Sequence, residues 1–153
     1  KAQSLLARMD PNGQPESLSL DGGVVLDRTE TPISGATPVL TRLRSERMRA
    51  TFATGTGRVA GAVAEQQVII EQGERRATGE QARYDGAAQT VHLTGSPTAA
   101  GPEGRIENAR ELIWRTALQE WSATGRYRIH VSNATGQDSD PARLLRLPRS
   151  SSN

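Results

Sequence analysis

The chain contains no cysteine. That excludes disulfides, thiolate metal sites and a cysteine nucleophile, and leaves the compartment open. Aromatic residues make up 3% of its 153 residues and hydrophobic residues of all kinds 35%. A thick core is hard to fill from so little, which favours a thin or open architecture in a single domain. No stretch is apolar enough to span a bilayer as a helix. No long stripe of 3.6-residue period appears either, so an all-β chain is expected. No signal peptide is visible, and a start at Lys1 is expected to reflect trimming, so the ends neither show nor exclude export. Lysine is nearly absent: Lys1 is the only one, and the other basic residues are arginine. The formal net charge is +2, yet the sequence pI is about 9.7. Arginine forks engage carboxylate and phosphate at two points. A solvated arginine face explains the composition equally well.

What is present is punctuation. Fifteen glycines and eight prolines separate short alternating segments. The most legible stretch is residues 76–97, RATGEQARYDGAAQTVHLTGSP. Ala82 and Tyr84 share one face of an extended run, Asp85-Gly86 signals a tight turn, and Val91, Leu93 and Gly95 alternate with Thr90, His92 and Thr94. The same frame is read four times: Ala7-x-Met9 with Leu18-x-Leu20-x-Gly22, Met48-x-Ala50 with Gly57-x-Val59-x-Gly61, the central copy, and Leu112-x-Trp114 with Trp121-x-Ala123-x-Gly125. In the last three copies the gap across the turn is the same, 50 to 57, 84 to 91 and 114 to 121. A fixed gap between alternating segments is what hairpins of one register produce, and repetition at this spacing points to stacked β units.

Along the chain, residues 1–9, with Leu5, Ala7 and Met9 in alternation, read as a first strand and Asp10-Pro-Asn-Gly as a turn. Residues 17–27 read as a strand with a bend or bulge at Asp21-Gly22-Gly23. Residues 29–38 read as a slack loop. Residues 39–53 carry four arginines among apolar residues and would suit a helix, but the repeat makes them a strand. Gly55-Thr-Gly57 is not a dinucleotide fingerprint, because no strand–helix unit surrounds it. Val68 to Ile70 is the most apolar β-branched run. Residues 71–76 read as a charged turn and 98–104 as a loop. Residues 121–131 show the cleanest alternation, unbroken from Trp121 to Val131. Residues 1–131 are therefore expected to form the β domain and 132–153 a flexible tail, in which Asn133-Ala-Thr135 matches a glycosylation sequon.

Ala82-x-Tyr84-Asp85, Val91-x-Leu93-Thr94-Gly95-x-Pro97 and Trp121-x-Ala123-x-Gly125 resemble the OstA-like domain of lipopolysaccharide-transport proteins, the family of LptA, LptC and the N-terminal part of LptD. The resemblance spans roughly residues 5–131. It implies an open β-jelly roll, a V-shaped trough with an apolar interior, in the periplasm. It further implies that lipid A acyl chains lie in the trough and that other such β-jelly-roll proteins, with copies of this chain among the candidates, join through sheet edges. It fits a free bridge and an anchored subunit equally. The inward face is expected to carry Leu18, Leu20, Val59, Val63, Val68, Ile70, Val91, Leu93, Leu112, Trp114, Trp121 and Ala123. Those residues could equally close on one another as a core.

Arg105, Arg126 and Arg128 are expected to meet lipid phosphates at the rim, with Arg110 and Arg115 as further candidates; an outward solvated role is the plainer reading for each. His92 and His130 fall in outward phase, and Asp85 is a turn former. No catalytic set, metal site or cofactor is expected. Two rivals stand beside the carrier reading. One is a structural β-repeat module assembling edge to edge without lipid. The other is a polysaccharide-acting β-solenoid, for which Glu80, Glu103, Glu107 and Glu111 supply no obvious carboxylate pair. Scattered arginines without interleaved aromatics argue against nucleic acid. Membrane contact would need a partner or an anchor outside this chain.

Overall fold

Alternation of the kind seen in residues 76–97 forms strands throughout the described part of the computed structural model, which covers residues 2–30, 37–118 and 120–132. The strands are β1 (Ser4–Met9), β2 (Pro15–Glu30), β3 (Val39–Phe52), β4 (Val59–Gln72), β5 (Arg75–Asp85), β6 (Thr90–Thr94), β7 (Thr98–Gly101), β8 (Gly104–Glu107), β9 (Glu111–Arg115), β10 (Glu120–Thr124) and β11 (Arg128–Val131). All pairings are antiparallel, and the described residues contain no helix. The result is one 11-stranded sheet that does not close on itself, an open β-jelly roll.

A crease divides the sheet into two leaves. Register shifts fall between Asp21 and Val24 on β2, between Arg44 and Arg47 on β3, and between Glu65 and Val68 on β4. On β5 the partner changes at the same level: residues 81–85 pair with β6, and residues 76–78 pair with β7. The first leaf runs β1-β2-β3-β4-β5-β6-β9-β10. The second is built from the far halves of β2 to β5, then β7, β8 and β11. Positive φ angles mark the crease, at Gly22, Gly23, Gln66, Gln67, Gly95, Ser96, Asn108 and Gly125. A bulged, left-handed residue bends a strand sharply, which is how one sheet turns back on itself.

The crease explains the last glycine of the repeat. An added Cβ would stand 2.7 Å from Gln3 Cβ at Gly22, 2.4 Å from Glu80 Cβ at Gly95 and 2.8 Å from Arg110 Cβ at Gly125. Gly61 has no such role. Ala50 pairs with Ala62 and Met48 with Ala64, so Gly57 is not the partner of Ala50. That copy properly reads Ala62-x-Ala64-x-Gln66, with Gln66 (φ 66°) in the glycine's place. The first copy also shifts, with Ala7 opposite Leu18 and Leu5 opposite Leu20. The two later copies keep the register read from their gap, Tyr84 opposite Val91 and Trp114 opposite Trp121.

Three other segments differ from their sequence patterns. Thr29 and Glu30 continue β2 opposite Leu40 and Val39, and residues 31–36 of the expected loop lie outside the described residues. Residues 98–104 carry β7 and the start of β8, closed by Gly101 opposite Gly104. The alternation from Trp121 to Val131 is interrupted at Gly125: β10 pairs with β9 in the first leaf, whereas β11 pairs with β8 in the second. The expected tail beyond residue 132, with its sequon, lies outside the described residues.

Candidate functional site: the apolar interior and its cleft

Direct cross-strand pairing places residues on one face, so the registers define rows. One row crosses the whole first leaf: Ala7, Leu18, Ala50, Ala62, Tyr84, Val91, Trp114 and Trp121. A second lies beside it: Leu5, Leu20, Met48, Ala64, Ala82, Leu93, Leu112 and Ala123. On the second leaf a third runs Leu26, Leu43, Ile70, Ala77, Ala99, Ile106 and Ile129. Buried residues of both leaves form a single cluster, so these rows face one another.

The middle of this interior is filled. Val68, Leu93 and Leu112 are fully buried, and burial of each such side chain stabilises by about 1.5–3 kcal/mol. Alanines on β4 and β5 keep the leaves close there. Toward the β1 end the side chains grow and open: Leu20 and Met48 are half-buried, and Leu5 and Leu26 are exposed. Toward the β10 end the leaves part around an open cleft whose enclosed part is small, about 50 Å³. Trp114 and Trp121 wall it on one side; Ile70, Ile106 and Ile129 lie across from them. The tryptophan rings stack with centroids 5.5 Å apart and planes 6° from parallel. Trp114 Nε1 is buried with no hydrogen-bond acceptor.

Of the residues expected on the inward face, Leu18, Leu20, Val68, Ile70, Val91, Leu93, Leu112, Trp114, Trp121 and Ala123 lie in or beside these rows. Val59 pairs with Phe52 at the exposed margin. Val63 does not join them. It pairs with Arg49 and Arg83 on the opposite face, because the irregularity between Thr51 and Phe52 removes the shared phase of Val59 and Val63. The pattern missed Ala62, Ala64, Leu43, Ala77, Ile106 and Ile129 as interior residues. Ile129 carried a signal, its alternation with Arg128 and His130, and Ile106 is its direct partner.

The arginines expected at the rim stand elsewhere. Arg105 borders the cleft, but its Nε lies 3.5 Å from Glu107 Oε2, on the face opposite buried Ile106. Arg128 pairs with Glu107 on that same outer face. Arg126 is exposed just past the crease, as are Arg110 before β9 and Arg115 at its end. Strand parity explains this: each arginine on β8, β9 and β11 neighbours an inward apolar residue and so points outward.

The outer face is laced with ion pairs. Arg42 donates to Asp27 at 2.7 and 3.1 Å. That hydrogen bond holds the Asp27 carboxyl below its ordinary range and raises Arg42. His130 Nε2 lies 2.9 Å from Glu107 Oε1, and this contact, with Arg105 and Arg128 nearby, holds the Glu107 carboxyl low. His92 Nδ1 lies 2.7 Å from Glu111 Oε1. The two histidines are thus outward but not solitary. Asp85 Oδ1 accepts from the backbone N–H groups of Ala87 and Ala88 and closes the β5–β6 turn. Among the described residues no three histidine, aspartate or glutamate side chains gather as a metal site.

An open two-leaved sheet with an apolar interior defines a β-jelly-roll module. The chain belongs to the LptA/(LptD N-terminal domain) LPS transport protein family, whose model matches residues 3–117. Among solved structures it is similar to LptH of Pseudomonas aeruginosa, described as the LptA-homologous periplasmic component of the conserved lipopolysaccharide transport device. That likeness has a TM-score of 0.60 at 12% identity and covers 86% of this chain and 92% of the other. At that identity it speaks for the fold. A comparison with curated proteins gave no sequence match.

Proposed function

We propose that this chain is a periplasmic lipopolysaccharide-binding bridge or carrier domain. Acyl chains would lie against the inner rows while sugars and phosphates stay in solvent. The observation that carries this reading is the pair of apolar rows crossing all eight strands of the first leaf, opposite a third row on the second leaf. Each methylene taken from water stabilises by about 0.8 kcal/mol, so a modest apolar slot holds a long chain. The family's description as LPS transport proteins supports the choice of cargo. The domain performs no chemistry in this reading: movement is passive, and direction comes from an energy source elsewhere. The two ends of the described sheet, β1 with the far half of β2 and β10 with β11, would receive the edge strands of similar jelly rolls. Copies of this chain are candidates for that role. Residues 1–131 would form this unit, with 132–153 as an appended segment.

One observation favours a second reading. Val68, Leu93 and Leu112 already fill the middle, as expected of a structural module that assembles through its edges without cargo.

Site-specific photo-crosslinking to purified lipopolysaccharide separates the two. Leu93 is too buried to carry a probe without harm, so the probes belong at half-buried Leu20 and Trp121 on the inner face, and at Val63 on the outer. Labelling at Leu20 and Trp121 but not Val63 is the expected outcome. Labelling at all three would indicate adhesion of a basic protein to an anionic lipid. A folded protein labelled at none would leave the structural module.

A further inference from the structure

The cleft is apolar except at its mouth. Ile70, Ala77, Ile106 and Ile129 line it across from the tryptophans, and Gln72, Arg75 and Glu103 line the same space. Arg75 is on the inner face: it pairs directly with Gln72, which pairs with Thr41, and it stands two residues before inward Ala77. Its guanidinium therefore sits at the lip, roughly 7 Å along the strand from the apolar row. Arg76 and Arg105 also border the cleft, but each stands next to an inward apolar residue, Ala77 and Ile106, and so points to the outer face; Arg126 and Arg128 are not part of its lining.

Arg75 is held by one carboxylate. Its Nη2 lies 3.3 Å from Glu103 Oε1 and 3.5 Å from Oε2. The two side chains are 45% and 48% exposed. A single nitrogen reaching both oxygens at that length, half in water, is a weak hold. A phosphate carries more charge and more acceptor oxygens, and it matches the guanidinium fork at two points. An amphiphile whose chain lies on Ile70, Ile106 and Ile129 would bring its head to the lip.

Building on the lipid-binding reading above, we propose that Arg75 binds the phosphate of an acylated phosphate seated in the cleft. Glu103 is a built-in competitor that occupies Arg75 when the cleft is empty and is displaced on binding. The two residues then have opposite signs. Removing Arg75 weakens the phosphorylated ligand, and removing the charge of Glu103 strengthens it. General electrostatic attraction would make every surface charge act alike.

The test titrates the intact protein with diphosphoryl lipid A and with dephosphorylated lipid A. Trp114 and Trp121, the only two tryptophans and both in the cleft wall, give a fluorescence readout. Arg75→Ala is expected to weaken diphosphoryl lipid A by about tenfold, the scale of one charge-assisted hydrogen bond, and to leave dephosphorylated lipid A unchanged. Glu103→Gln is expected to tighten the phosphorylated lipid severalfold. Arg83→Ala and Glu46→Gln change the same charges on exposed positions away from the cleft and are expected to do neither. Equal weakening of both lipids by Arg75→Ala, or no tightening by Glu103→Gln beyond that of Glu46→Gln, overturns the proposal. Displacement of the lipid signal by millimolar inorganic phosphate alone would make this a free-phosphate site and overturn it as well. If the wild-type protein binds neither lipid, the lipid-binding reading fails and this proposal falls with it. If it binds both lipids and Arg75→Ala changes nothing, only the assignment of Arg75 fails.

Discussion

Trp114 and Trp121 face each other across β9 and β10 as a stacked pair, 5.5 Å between ring centroids and 6° from parallel. The register Trp114 opposite Trp121 sets this contact, and the pair closes one wall of the cleft. Trp114 is 4% exposed, so Trp114→Ala is expected to cost about 3–5 kcal/mol of unfolding free energy. Trp121→Ala, at a half-buried position, should cost less. Urea unfolding measures both. Trp114→Phe should cost less than the alanine change, because it keeps an aromatic ring against Trp121 while removing the buried indole N–H that lacks an acceptor.

The crease makes a prediction of opposite signs. Gln66 holds φ 66° where the other copies of the repeat have glycine. A left-handed L-residue costs roughly 1–2 kcal/mol, so Gln66→Gly is expected to raise stability by up to about 1 kcal/mol after the glycine's entropy is counted. Gly95→Ala should lower it by more than Gly23→Ala. Both sit at positive φ, but only at Gly95 does the new Cβ meet a neighbour, Glu80 Cβ at 2.4 Å; nothing lies within 4 Å at Gly23. Thermal or chemical midpoints of the three variants decide it.

Acid should loosen the outer face. Asp27, beside Arg42, and Glu107, beside His130, have folded pKa values below their ordinary ones. A depressed carboxyl adds stability above its unfolded pKa and loses it as pH falls through the folded value. The wild-type urea midpoint is therefore expected to fall between about pH 5 and pH 3. A Asp27→Asn, Glu107→Gln variant should start lower and fall less over that window. Asp27 is exposed and Glu107 only half-buried at the surface, so the effect is small and weakens with salt.

The β1 edge is the place to test assembly. Leu5 and Leu6 are 65% and 67% exposed there, and among the described residues β1 pairs with β2 alone. Leu6→Lys is expected to change monomer stability by less than about 0.5 kcal/mol, because it touches no core. If edges join copies of this chain, it should shift sedimentation toward monomer at high protein concentration. Unchanged sedimentation of a self-associating wild type would place the contact elsewhere.

Much of the architecture was legible in alternation alone. Tyr84 opposite Val91 and Trp114 opposite Trp121 follow from an equal gap across a turn, and the bend at Asp21-Gly22-Gly23 follows from two glycines. Two readings failed on the same hairpin. Gly57 lies in the turn before β4, and the extra residue at Ala60, beside Gly61, flips Val63 to the face opposite the one its alternation with Val59 implied. Gln66 and Gln67 hold left-handed angles that their residue type does not announce.

The sequence by itself determined that the chain is all-β, that its strands repeat, and that its interior is thin, because period-two alternation and scarce aromatics are local facts. Only the tertiary structure decided which leaf each half-strand joins. Trp121 and Ile129 share one unbroken alternation, yet β10 pairs with β9 and β11 with β8. Partner choice is made between residues far apart in the chain, by burial of both faces at once. The same choice leaves Arg75 at the lip of the cleft and turns Arg105 and Arg128 outward, a distinction that side-chain type cannot carry.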